Sequence, residues 1–176
     1  MHRTTATLLA ACATGCLLAS AGAAAADTGT GRGAASVAPC TSARITAEGA
    51  HRTASGQVVV TVVNRGPGSC VLRGHPTVAL AGQGAPQANT PLSVVRQGTA
   101  KPVLLAVGGR AVTRLTFTPV LGEASGYCAS GADPVVAPSI VVGVAGGGQQ
   151  LAPDDGGEFA LCGRDVAATA FQPVGS

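Results

Sequence analysis

Residues 57–68 read Gln-Val-Val-Val-Thr-Val-Val-Asn-Arg-Gly-Pro-Gly, and the fold turns on this stretch. Six of its first seven residues are β-branched, which restricts their rotamers and suits them to a pleated strand. Asn64-Arg65-Gly66-Pro67-Gly68 then stops the run with turn-forming residues. A β-branched run of this length between breakers reads as a strand. Residues 110–118, Arg-Ala-Val-Thr-Arg-Leu-Thr-Phe-Thr, supply the period. Ala111, Thr113, Leu115 and Phe117 fall on one face, and Arg110, Val112, Arg114, Thr116 and Thr118 on the other. That alternation marks a half-buried strand with its arginines in water.

Working outward, the same signals place short strands at 44–47, 70–72, 77–80, 92–96, 103–107 and 139–144. Gly146-Gly147-Gly148 ends the last of these, and a further strand leads to Cys162. Residues 168–174 read as a final edge strand, because Pro173 limits its pairing. No window carries a capped helical period, and Ala132-Asp133-Pro134-Val135-Val136-Ala137-Pro138-Ser139 places prolines where a helix needs donors. The expected fold is all-β: an antiparallel, immunoglobulin-like β-sandwich of about eight strands. A small closed barrel is the alternative.

The chain begins Met1-His2-Arg3 and then runs apolar and small to Ala24-Ala25-Ala26. A basic start, an apolar stretch and a small-residue exit are the order of a secretory signal, assigned to residues 1–26. Residues 27–39, Asp-Thr-Gly-Thr-Gly-Arg-Gly-Ala-Ala-Ser-Val-Ala-Pro, have no apolar period and read as a flexible tether. Residues 40–176 form the single expected domain. A lipid anchor at Cys16, or at Cys12 within Leu9-Ala10-Ala11-Cys12, is the alternative to free secretion. After residue 26 no apolar run approaches membrane-spanning length.

Four cysteines follow the signal: Cys40, Cys70, Cys128 and Cys162. An even count in an exported chain reads as a disulfide framework, and four cysteines allow three pairings. Spacing favours nearest neighbours, Cys40 with Cys70 and Cys128 with Cys162. Each loop of about thirty residues contributes about 3–4 kcal/mol by closure entropy. Zinc would call for a close Cys-x-x-Cys pair, and every gap here is tens of residues.

The motif Asn64-x-Gly66 followed by Cys70-x-Leu72-x-Gly74-x-Pro76 resembles the core of an exported family, the domain of unknown function 4232. Val107-Gly108-Gly109-x-Ala111 leading into Leu115-x-Phe117 adds to the likeness, with Cys40 upstream and Cys128 and Cys162 downstream. The resemblance spans residue 40 to about residue 171. It implies a secreted or lipid-anchored protein of a high-GC Gram-positive bacterium and assigns no functional residue. His75 stands where relatives commonly carry an aromatic residue, and Phe117 where they often carry tryptophan.

The remaining residues narrow the function by what they lack. No Gly-x-Ser-x-Gly elbow is present, and His51 and His75 are the only histidines after the signal. His75, before Pro76, reads as a turn residue with a solvated ring. An exported hydrolase using His75, Arg73 and a loop acid is a secondary alternative. Asp154-Asp155-Gly156-Gly157-Glu158 gathers three carboxylates on a glycine loop but lacks the alternating ligands of a calcium loop. It reads as a solvated acidic turn. The sequence has no tryptophan, and Tyr127 reads as packing on the neighbouring disulfide, which argues against a glycan platform. Basic residues are scattered singly, so no nucleic-acid surface is expected. No cofactor motif appears. The expectation is a non-catalytic binding or structural module with a partner in the envelope or outside the cell.

Overall fold

The computed structural model describes residues 36–122 and 126–175. The signal expected at 1–26, the candidate anchors Cys12 and Cys16, and tether residues 27–35 lie outside the described residues. The described chain is all-β. The larger sheet runs β1 (Ile45–Ala54), β2 (Gln57–Asn64), β8 (Arg110–Pro119), β12 (Phe159–Thr169) and β6 (Ser93–Gln97). Short β9 (Val135–Ala137) pairs with β12, and β13 (Gln172–Pro173) pairs with β8. The smaller sheet runs β11 (Gly147–Leu151), β10 (Ser139–Val144), β4 (Thr77–Ala81) and β5 (Asn89–Pro91). A separate ladder joins β3 (Cys70–Leu72) to β7 (Val103–Leu105).

Alternation along the strands builds one core between these layers. Val58, Val60 and Val62 of β2 and Ala111, Leu115 and Phe117 of β8 are buried with Val166 and Ala168 of β12. Val78 and Leu80 of β4 and Ile140, Val142 and Val144 of β10 belong to the same cluster. The four inward positions of β8 are those the period of two assigns, and Thr113 among them is fully buried. Its hydroxyl donates to the Thr169 carbonyl at 2.7 Å, and the Arg114 N–H donates to Thr169 Oγ1 at 3.0 Å. These side-chain bonds span the break between β12 and β13, where the ladder along β8 lapses.

Three local readings need correction. β10 ends at Val144 as expected, but not all of Gly146-Gly147-Gly148 belongs to the stop. The turn sits at Ala145-Gly146, both at positive φ, and Gly147 begins β11. Ala168 is not on an edge but lies fully buried in the long inner strand β12. The edge reading holds only for the two-residue β13. Strand pairing is antiparallel throughout except between β12 and β6, which run parallel. The chain reaches β6 directly from β5, with Leu92 N–H bonded to the Val78 carbonyl as it passes between sheets. Asn89–Pro91 and Gly147–Leu151 are short runs of small or polar residues with little periodic signal, and β9 is three residues between prolines, so β5, β9 and β11 are absent from the sequence reading.

Asn64 ties the turns together. It is fully buried, and its Nδ2 donates to the carbonyls of Gly68 (2.9 Å), Leu105 (3.1 Å) and Ala106 (3.1 Å). Its Oδ1 accepts from Gly66 N–H at 3.0 Å. Its backbone N–H reaches the Gly109 carbonyl at 2.9 Å, and its own carbonyl receives Gly108 N–H at 2.8 Å. Gly108 has φ 73°, and a Cβ on Gly109 would stand 2.9 Å from the Ala106 backbone. The Asn-x-Gly and Gly-Gly elements therefore form one device joining the β2–β3 and β7–β8 connections.

Two disulfides staple the domain at different places: Cys70 follows the Asn64 turn closely, whereas Cys162 lies beside Leu161, which pairs with Pro119 at the far end of β8. Cys40 bonds Cys70 and Cys128 bonds Cys162, with Cα separations of 4.8 Å and 5.5 Å. The first is reinforced by Cys40 N–H to the Val71 carbonyl (3.0 Å) and Val71 N–H to the Ala38 carbonyl (2.9 Å). Replacing Cys40 and Cys70 together by serine is expected to lower unfolding free energy by about 3–4 kcal/mol in urea denaturation. Asn64→Asp is expected to cost at least about 3 kcal/mol in the same assay, because a carboxylate would face three carbonyls without a donor. Unchanged midpoints would show that these contacts are not structural.

Candidate functional site

The outer face of the smaller sheet is the best candidate for a site. Val78 and Leu80 point into the core, so Thr77 and Ala79 point out. On β10, Val141 and Gly143 do the same opposite Ile140, Val142 and Val144. These residues floor a groove of about 630 Å³, bounded by Asn89 and Pro91 on β5 and by the Ala145–Gly148 turn. Arg73 and His75 stand at its margin. Volume in this range suits a small ligand.

Its glycines are sterically required. A Cβ on Gly143 would strike Thr77 Oγ1, at 2.0 Å, and one on Gly148 would meet Val141 Cγ1 at 2.9 Å. Their absence lets Thr77 and Val141 lie along the sheet and keeps the floor low. Beyond the groove, Gln150 Nε2 donates to Ser139 Oγ at 2.6 Å and to the Gly82 carbonyl at 2.5 Å.

The connection carrying Arg73 and His75 is also a junction. Gly74, at φ 94°, presents its carbonyl to Phe171 N–H at 3.1 Å. His75 Nε2 lies 3.1 Å from the Gln97 carbonyl, which can only accept, so Nε2 carries the proton. The ring is half-buried and anchored rather than freely solvated. Arg73 is exposed and has no ion-pair or hydrogen-bond partner among the described residues.

The acidic turn is engaged elsewhere. Asp154 Oδ2 lies 2.6 Å from His51 Nδ1, and Asp155 Oδ2 lies 3.1 Å from Arg52 Nε. The latter is an ion-pair contact without hydrogen-bond alignment. Arg52 Nη2 also donates to the Glu158 carbonyl at 2.9 Å, and Asp154 N–H to the Ala50 carbonyl at 3.1 Å. The turn thus covers the outer edge of β1. Gln149 continues the cover: its Oε1 accepts from Ala47 N–H and its Nε2 donates to the Ile45 carbonyl, both at 2.7 Å.

His51 and Asp154 have the orientation of a catalytic dyad, with Nε2 left free. No hydroxyl or thiol is bonded to His51 among the described residues, and the pair sits exposed outside the groove. Among the described residues no three His, Cys, Asp or Glu side chains are grouped to hold a metal ion. Tyr127 is 60% exposed, and its ring lies beside Gly122.

The buried Asn64 device, its paired glycines and the two disulfides set the frame into which a family match has to fit. The sequence matches the family described as Domain of unknown function (DUF4232) over residues 38–172. The chain belongs to that family. The match starts where Ala38 pairs with Val71 and ends at β13, so the family unit is the whole sandwich rather than the groove alone. No curated protein and no solved structure matches the chain significantly. Within the family motif, Asn64, Gly66, Gly74, Gly108 and Gly109 serve turns and junctions.

Of the residues singled out in sequence, Arg73 and His75 meet at the groove, whereas His51 and the acidic turn meet at the β1 edge. Thr77 and Asn89 were missed as groove residues, since neither carries a motif. The His51 hydrogen bond holds the Asp154 carboxyl below the usual carboxylate range, with Coulombic attraction adding to it. A lowered folded-state value means the pairing contributes above about pH 4 and is lost as pH falls through the folded value. Asp154→Asn should therefore flatten the acid limb of the stability–pH curve and leave the limb above pH 7 unchanged. An identical acid limb in the variant would exclude the pairing as its source.

Proposed function

We propose that the chain is a non-catalytic binding module, exported to the bacterial cell envelope or beyond, that takes its ligand on the outer face of the smaller sheet. The groove bounded by Arg73, His75, Thr77 and Asn89 carries this reading. Its lining contains no carboxylate, so the acid that a hydrolase would pair with His75 and Arg73 does not line it. Two disulfides and the lack of any helix long and apolar enough to cross a membrane among the described residues accord with an extracellular setting.

The test compares the protein with Val141→Trp, which would fill the groove from its floor. The native protein should retain soluble envelope fragments that the variant releases, at an unchanged melting temperature. It should also show no turnover on a panel of ester, amide and glycoside substrates. Robust turnover, or equal retention by the variant, overturns the reading. Membrane fractionation and palmitate labelling separate free secretion from anchoring at Cys16 or Cys12.

A further inference from the structure

Resting on the groove reading, we propose that its ligand is a short peptide segment with small side chains and a free C-terminal carboxylate, which Arg73 receives. Charge is the first argument. Arg73 is exposed at the groove margin without a partner among the described residues, and no Asp or Glu lines the groove to compete for it. A guanidinium offers a planar fork that matches a carboxylate in two parallel hydrogen bonds. It is the only Arg or Lys in the lining. One cation suits one terminal carboxylate; a polyanion is bound by several.

Shape is the second argument. The floor is built from Ala79, Val141, Gly143 and Gly148, so a bound chain can approach the sheet closely only where its own side chains are small. No Phe, Tyr or Trp lines the groove, which removes the large ring faces a sugar would stack on. Polar groups suited to a peptide are present instead. Thr77 contributes a hydroxyl that can donate or accept, and Asn89, whose Nδ2 is held by the Pro86 carbonyl at 2.6 Å, retains its side-chain carbonyl as an acceptor for an N–H.

Strain is the third argument. Ala145, at the turn bounding the groove, is the one non-glycine residue at positive φ among the described residues, with φ 50°. Its methyl packs against the core cluster, which holds this backbone in place. The groove wall is therefore set before any ligand arrives, and binding need not order it.

The experiment titrates N-acetyl-Ala-Ala as the free acid, and separately as the C-terminal amide, into the purified protein by amide-resolved NMR. The free acid should shift Arg73, Thr77 and Asn89 resonances saturably. The amide should bind about tenfold or more weakly, as should the free acid to Arg73→Ala. Arg73→Lys should fall between, and Arg96→Ala, an exposed arginine outside the groove, should match the native protein. Equal binding of acid and amide, insensitivity to Arg73→Ala, or no binding of the free acid overturns the proposal. Inorganic phosphate binding as tightly as the free acid also overturns it, in favour of a general anion site. Each of these failures leaves the groove reading standing if Val141→Trp still releases envelope fragments, so the two are separable.

Discussion

The buried amide of Asn64 is the constraint on which the rest of the structure depends. One carboxamide serves three carbonyls and one N–H, and its backbone groups serve two more residues. An amide has two N–H donors, so at least one is shared among the three carbonyls. Such a group is costly to bury unless every partner is in place, and that makes it a device for specifying one arrangement. With Asn64 satisfied, the β2–β3 and β7–β8 connections are locked, and β3 is delivered beside β7 with Cys70 facing Cys40. The β3–β4 connection that bears Arg73 and His75 follows at once. The position of the groove margin is thus inherited from a turn some distance along the chain.

Much of this was legible in the residues. The β-branched run at β2 and the period of two along β8 identify two of the three inner strands of the larger sheet, because both lie between neighbours and bury one full face. The four spaced cysteines point to a domain stapled by two disulfides. Legibility fails where pairing is decided by tertiary context. Asn89–Pro91 is a strand only because β4 offers it an edge. Residues 163–169 join one long strand because β12 absorbs an irregularity between Leu161 and Val166, with Gly163 at φ 80°. The glycines at 146–148 look like a stop, yet two of them are strand residues where neighbouring side chains leave no room for a Cβ.

The candidate site was legible in part for a related reason. Arg73 and His75 stand out as chemistry-bearing letters in a short stretch, but their role depends on what lies across the sheet. Thr77, Asn89 and the glycine floor come from four separate strands and their connections, and no spacing rule links them. Conversely, His51 and the acidic turn lie about a hundred residues apart, and nothing in their spacing links them. The fold brings them together as mutual partners, and their charges are used in closing an edge.

That closure has a consequence for assembly. On the larger sheet, the outer side of β1 is occupied by the Gln149 amide and by the turn from Pro153 to Glu158. β6, at the opposite end, carries a strand neighbour on one side only among the described residues. A sheet that can accept a new strand at one end alone cannot grow into a fibre, because open-ended polymerisation needs two exposed edges. Pairing through β6 would join two molecules back to back and then stop. The side chain of a single glutamine thus helps to set an upper limit on how many copies a sheet of this kind can enlist.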